Sequence, residues 1–363
     1  MLPVSCEGGY RVYDVVIIGA GPSGASLARF LDKQYRVLLI DKRNLDEWPP
    51  LVNKCCGGLL APDAQNILGR LGLGVPGEVL TGPQLFSVRT IDRDHGLERY
   101  YRRYYINIDR EKFDRWLCSA LPEHVEKKFN TLFLSYRRDE KGFIIKYREK
   151  GITSETPTKI LVGADGATSR VRRQADPAFG KDSYLALQYW FKTQRESPFY
   201  TSIFDRTVTD FYSWIIQKNG HLLVGSALSP GEGARQKFEE LLDRLKGEEL
   251  ITGEPVKKES ALINRPRDMK SIRTHRGEVA FTGEAAGFIS PSSAEGISYA
   301  IKSGLLLAES INTSFPCFKT VYRNKTAGLK FNIWLKNRKL PFMYNRTLRR
   351  FILASGIFSM KIR

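Results

Sequence analysis

The 363-residue chain carries 57 Lys and Arg against 39 Asp and Glu, a formal net charge of +18, and 42% of its residues are apolar. That length and apolar share suit a globular protein of about two domains. No charged-then-apolar export signal opens the sequence, and no run approaches the roughly 18 apolar residues of a membrane-spanning helix, so the chain is expected in the cytoplasm.

The five cysteines, at 6, 55, 56, 118 and 317, are odd in number and irregular in spacing, which speaks against a disulfide framework. No His or Cys partner stands at ligand spacing near Cys55 and Cys56, so no metal site is expected. The charge is uneven: twelve Lys/Arg and no Asp or Glu follow Glu309. Nucleic acid, anionic lipid headgroups, a phosphorylated substrate or an acidic protein would each satisfy such a tail.

In chain order, Tyr13-Asp-Val-Val-Ile-Ile-Gly19 reads as a buried strand, because a continuous β-branched run ends at glycine. GAGPSG follows. Leu27, Phe30 and Leu31 then recur at helical spacing, and YRVLLI predicts a second strand ending at Asp41, which completes a βαβ unit. The Gly- and Pro-rich segment beyond it holds NKCCGGLL, from Asn53 to Leu60, and a helix is expected near Pro62-Asp63. Residues 84–108 and 184–264 alternate apolar and polar positions and predict antiparallel strands. Between them DREKFDRWLCSAL predicts a helix with Asp109 as N-cap and Phe113, Trp116, Leu117 and Leu121 on one face.

Three strand ends carry chemistry. Gly19, Gly21 and Gly24 form GxGxxG between strand and helix, with Asp41 closing the next strand. The glycines permit a tight turn, bring a diphosphate to bare backbone and let helix pack on strand, while the helix N-terminus, Ser23 included, offers unpaired N–H groups. Asp41 suits ribose hydroxyls. The ligand of this signal alone is NAD or FAD. The second strand end is ILVGAD165-G166-ATS, and the third is VAFTG283-E284-AAG, followed by a helix from about Gly296. Each delivers a carboxylate and glycines to one sheet edge.

Together and in this order the three motifs resemble the FAD-binding signature of the p-hydroxybenzoate-hydroxylase-like flavoproteins. The resemblance implies that the GxGxxG turn takes the ADP diphosphate, Asp165 and Gly166 lie near it, Gly283 and Glu284 contact the ribityl chain, and the helix from Gly296 aims its positive end at the flavin pyrimidine. Glu284 stands where the superfamily usually has Asp. Arg110 matches a superfamily arginine near FAD.

The resemblance narrows at KCCGGLL and DFYSWII. Geranylgeranyl-reductase-like flavoproteins carry a Cys-Gly-Gly loop and a Tyr-x-Trp element, matched by Cys56, Gly57 and Gly58 and by Tyr212 and Trp214. It is strongest to the colicin M resistance branch of enteric bacteria, whose late motif also reads Gly-Glu-Ala-Ala-Gly-Phe. Cys55 replaces a common proline, and Gln217 another.

The implied fold is α/β: a Rossmann-type FAD-binding domain (1–83, 108–180 and 272–312) with an inserted antiparallel-sheet substrate domain (84–107 and 181–271) and a basic helical tail (313–363). The implied function is an FAD-dependent oxidoreductase that reduces C=C bonds of an isoprenoid lipid. Cys56 is the candidate catalytic residue, in a pocket-shaping or proton role, and Tyr189, Tyr212 and Trp214 are the candidate pocket walls. Alternating strand aromatics fill cores more often than they line pockets, and both readings stay open.

An FAD-dependent monooxygenase of an aromatic or lipid substrate is the alternative, and a flavin-loaded membrane-surface protein without turnover is another. No Trp-x-Trp-x-Ile-Pro element supports a halogenase. No second dinucleotide motif occurs, so electrons are expected from visiting NAD(P)H or a ferredoxin-type protein. The tail, with apolar residues among its cations, reads either as helices on an anionic membrane at the inner face or as a cap with a solvated basic side. No base-reading module appears, so nucleic acid is not an expected partner.

Overall fold

The structure is a computed structural model that describes residues 12–50 and 54–362, so Cys6 and Asn53 lie outside the described residues. Its first sheet runs in the order His275–Arg276, Val279–Phe281, Ile152–Gly163, Tyr13–Ile18, Val37–Ile40, Val125–Lys128, and the last five are mutually parallel. The β-branched run of the first strand exists because both of its faces are covered. Val15 and Ile17 pack with Leu27 and Phe113 in one core, while Val16 and Ile18 pack with Phe281, Phe288 and Ile333 in another. A hairpin, Thr131–Asp139 with Gly142–Glu149, joins the outer half of Ile152–Gly163.

A second sheet runs Lys257–Asn264, Ser183–Lys192, His221–Leu228, Ser213–Lys218, Phe199–Phe204, Leu85–Asp92, Leu97–Asn107, with Ser359–Met360 at its edge. Two expectations are corrected here. The region 184–264 is not strands throughout, since Ala234–Gly247 is a helix whose Phe238, Leu241 and Leu245, at helical spacing, bury against Tyr189 and Phe191. The sheet is also not wholly antiparallel. Phe199–Phe204 and Leu85–Asp92 pair in parallel, as the long path between them permits.

The tail forms three helices, Phe318–Lys325, Ala327–Tyr344 and Arg346–Ser355, packed on the body through one side. Phe318, Tyr322, Leu329 and Ile333 are buried, each worth roughly 1.5–3 kcal/mol for a fully covered side chain. The Arg349 guanidinium, also buried, donates to both carboxylate oxygens of Asp92 at 2.9 and 3.1 Å.

Candidate functional site

The strands that end at Ile18, Gly163 and Phe281 lie side by side and parallel, so their C-terminal ends meet at one edge. Gly19, at φ +108°, presses on the residues that follow the strand Ile152–Gly163: a Cβ there would lie 2.5 Å from the Ala164 carbonyl oxygen. A Cβ on Gly24 would lie 1.8 Å from the Gly19 oxygen, which fixes glycine at the helix–strand contact. A Cβ on Gly21 or Gly166 (φ +75°), by contrast, would meet nothing within 4 Å among the described residues beyond its chain neighbours. Bare backbone thus opens onto free space at the N-terminus of the helix Pro22–Phe30, whose first-turn N–H groups have no intrahelical partner.

The other signature residues take definite places. The Ser23 hydroxyl bonds the Thr282 hydroxyl at 2.9 Å, so its side chain clasps the late motif and only its backbone N–H is offered outward. A Cβ on Gly283 (φ +60°) would lie 2.8 Å from Ser23 Cβ. The Asp165 carboxylate accepts from the Arg170 N–H at 2.7 Å and from the Ser169 hydroxyl, holding the start of Arg170–Ala175, and burial raises its pKa. Glu284 reaches across to the second sheet and accepts from the Asn264 N–H at 2.9 Å. Gly296 caps the helix Ile297–Ser314, whose Gly304 meets the Ser23 carbonyl.

Asp41 is less free than a ribose acceptor alone requires. One carboxylate oxygen accepts from Ala20 N–H at 2.7 Å and the other from Arg43 N–H at 2.8 Å. The Arg43 guanidinium continues to Asp114 at 2.9 Å, and Asp114, fully buried, also takes Arg110 at 2.8 Å. Arg110 then donates to Cys56 Sγ at 3.4 Å. A chain of charges therefore links the first glycine turn to the Cys-Gly-Gly loop. Burial opposes the Asp114 carboxylate, but Arg110 and Arg43 hold its pKa below the ordinary value. Lys54 stands beside the same charges, keeping accessible surface although protein surrounds it. Burial and the cations Arg110 and Arg43 lower its pKa, against Asp114 and Glu284.

The loop is fastened to the second sheet. Trp214, Ile216 and Lys218 share one face of Ser213–Lys218 by the two-residue period. A Cβ on Gly57 would lie 2.9 Å from Ile216 Cδ1, and one on Gly58 (φ +61°) 2.4 Å from the Ile108 carbonyl oxygen and 2.8 Å from Lys218 Nζ. The Lys218 ammonium, buried, donates to Asn107 Oδ1 at 2.5 Å, to Ile108 O at 2.8 Å and to Gly58 O at 3.2 Å. Cys56 Sγ also accepts from Gly58 N–H at 3.4 Å. Lys218, Asp114 and Arg43 stand outside the motifs that mark the site in the sequence. The Arg110–Asp114 spacing of four within a helix was a legible signal, whereas nothing local marks Lys218.

Tyr212 and Trp214 join Phe204, Phe211 and Tyr105 in one aromatic cluster against Leu59 of the loop strand. The Tyr212 hydroxyl donates to Ser293 O at 2.7 Å, in the turn before the helix Ile297–Ser314. Trp214 Nε1 is buried and has no hydrogen-bond partner among the described residues. Tyr189 is corrected: it lies on the other face of its strand, edge-on to Phe238 at 5.0 Å, and strand alternation turns Trp190 toward the aromatic cluster instead.

With this geometry in hand, the chain matches the FAD binding domain family over residues 12–314. It is 38% identical to Protein CbrA of Escherichia coli over 346 residues, covering 95% of this chain and 94% of that one. In structure it is similar to a geranylgeranyl bacteriochlorophyll reductase-like protein of Thermoplasma acidophilum, with a TM-score of 0.81 and 19% identity over 96% of this chain and 92% of that one. It is also similar to PqsL, a probable FAD-dependent monooxygenase of Pseudomonas aeruginosa, with a TM-score of 0.68 and 19% identity over 96% and 100%. At such identities the two structures bear on the fold. The cradle suits FAD: open backbone at Gly21 and Gly166 fits a diphosphate, and Lys54 and Glu284 lie within electrostatic reach of Arg110, which donates to Cys56 Sγ.

Proposed function

Starting from a chain that belongs to the FAD binding domain family and takes FAD as its cofactor, we propose that this oxidoreductase reduces C=C bonds of an isoprenoid lipid. One observation carries the reading: the Cys-Gly-Gly loop and the Tyr-x-Trp strand, about 155 residues apart in sequence, interlock through Gly57 on Ile216 and Lys218 on Gly58. Bound FAD, once reduced, supplies the hydride. The protein's own residues do the rest.

Arg110 and the Gly58 N–H hold Cys56 Sγ at the loop, where a thiol is able to give the second carbon its proton. In this reading Tyr212, Trp214 and Phe204, buried together beside the loop strand, supply the apolar wall that excludes water and orients a chain without polar handles. An isolated alkene is a poor hydride acceptor, so this positioning carries much of the rate. Electrons come from NAD(P)H or an acidic ferredoxin-type protein, and an anionic membrane is the store of such a substrate.

The test is anaerobic. Reduced holoprotein mixed with prenyl alcohols and prenyl phosphates of graded length should reoxidise, and the lipid should gain two hydrogens by mass. Reoxidation that occurs only with oxygen, and labels the product with it, would instead select the monooxygenase chemistry.

A further inference from the structure

The helix Ala327–Tyr344 is apolar on two sides, and the body covers one of them. Leu329 and Ile333 point inward and are buried. Phe331, Trp334, Leu335 and Phe342, at offsets of three, four and eleven residues from Phe331, fall on the opposite side, with exposures of 59, 39, 39 and 51%. The surface continues on the next helix and past its end. Phe351 is 68% exposed, and Phe358 is 91% exposed at a φ of +61°, a left-handed conformation costly for a bulky residue. A soluble surface rarely gathers this many large apolar side chains without an occupant.

Charge selects the occupant. Lys319, Lys325 and Arg349 are paired with Glu278, Glu309 and Asp92, but Arg338, Lys339 and Arg350 are exposed and, among the described residues, join no ion pair. The Arg338 guanidinium sits 5.1 Å from the Trp334 ring, and Phe331 stacks on that ring at 5.6 Å. Phenyl and indole rings flanked by free cations match the boundary between acyl chains and anionic headgroups. A second copy of the chain would instead bring the same cations face to face. No helix among the described residues is long and apolar enough to cross a bilayer.

We propose that this surface docks on an anionic lipid bilayer, with the helices Ala327–Tyr344 and Arg346–Ser355 lying along the headgroups and their aromatic side chains in the acyl boundary. The docked element is joined to the candidate pocket. Tyr344, at the end of the first helix, packs on Phe204 and Phe211 at 5.7 and 5.2 Å, and its hydroxyl donates to Ser292 O at 2.6 Å. Arg265 lies between, 3.9 Å from the Phe211 ring and 4.5 Å from that of Tyr344. Docking therefore sets the aromatic cluster against the lipid and lets a prenyl chain enter without crossing water. That delivery step rests on the reading of the pocket as a prenyl site. Docking does not.

The full-length holoprotein is sedimented with vesicles of phosphatidylcholine alone and with about one third phosphatidylglycerol. Binding to the anionic vesicles is expected to be at least about tenfold tighter and to weaken as salt screens the cations. Phe351→Ser combined with Phe358→Ser should lower it about tenfold with flavin content unchanged, and Trp334 emission should be quenched by bromine-labelled acyl chains. Equal binding to both vesicle types overturns the proposal. So does a dimer in free solution that the double substitution dissociates, because the occupant is then a second copy. No prenyl lipid and no turnover enter the assay, so its failure leaves the reductase reading to the reoxidation experiment.

Discussion

Asp114 and Lys218 are both buried charges beside the Cys56 loop, and the protein accommodates them in opposite ways. Asp114 sits between the guanidinium groups of Arg43 and Arg110, at 2.9 and 2.8 Å. Lys218 meets no carboxylate among the described residues. Its three ammonium protons go to Asn107 Oδ1 and to the carbonyl oxygens of Ile108 and Gly58. The first arrangement is a charge network, whose members depend on one another for neutrality. The second is a backbone clamp, in which a cation ties three chain segments at one point. The difference separates what each contributes: Asp114 holds up the site electrostatically, and Lys218 fixes where the loop lies.

The largest expected effect follows from breaking the network. Asp114→Asn keeps the shape and leaves Arg43 with Asp41 and Glu111 at 3.3 and 3.5 Å, but strips the largely buried Arg110 of its one carboxylate partner among the described residues, which should cost about 3–5 kcal/mol. Arg110 also loses the partner that aims it at Cys56 Sγ. Denaturant unfolding of the holoprotein and flavin content after purification measure both, and flavin should be depleted. Unchanged stability would mean that the network is solvated and carries no such load.

The clamp should respond less in stability and more in geometry. Lys218→Met removes a desolvated cation but strands three acceptors, and these effects oppose each other, leaving a net change of about 1–2 kcal/mol. Iodoacetamide labelling of Cys56 in the folded state should rise several-fold as the loop loosens. Lys218→Arg cannot restore it, because a planar fork does not fit a point with three converging oxygens.

The same contrast has a pH signature. Burial pushes the Lys218 pKa down to about 7 from its ordinary 10.5. Where the folded amine has lost its proton and the unfolded one has not, the unfolded state binds more protons, so stability rises with pH. The cost of burying the cation is full below about 7 and is relieved from there toward 10.5. Wild type should gain stability relative to Lys218→Met over that window, by at most about 1.4 kcal/mol per pH unit. A flat difference would show that the three oxygens keep the amine charged.

The two clusters also differ in what their sequences reveal. Glycines at 19, 21 and 24 announce the first turn because backbone geometry there is set by neighbours within a few residues, and the buried strand before them reads from its β-branched run. Arg110 and Asp114 stand one helical turn apart, so half of the network is local. Lys218 is not local at all: its partners are residues 58, 107 and 108, brought together only when the second sheet forms. Tyr189 shows the complementary error. Alternation marks which residues share a face, but not which face meets the helix Ala234–Gly247 and which the loop. That helix escaped because strand-like aromatics on either side extended the pattern over it.

The smallest effect tests how sharply the loop divides its two thiols. Cys55 and Cys56 are adjacent, yet only Cys56 Sγ takes hydrogen bonds from the Arg110 guanidinium and the Gly58 N–H. Burial, with Glu259 nearby, pushes the Cys55 thiol up to about 12, so at neutral pH it stays protonated and is a poor nucleophile. Cys55→Ser should therefore change stability by less than about 1 kcal/mol and leave flavin content and substrate-driven reoxidation within about twofold. On the proposed proton role, Cys56→Ser should keep flavin but slow that reoxidation at least about tenfold. Peptide mapping after brief iodoacetamide treatment decides the order of reactivity. Faster labelling of Cys55 would exchange the two roles, and would place the reactive thiol on the Glu259 side of the loop, away from the charge network.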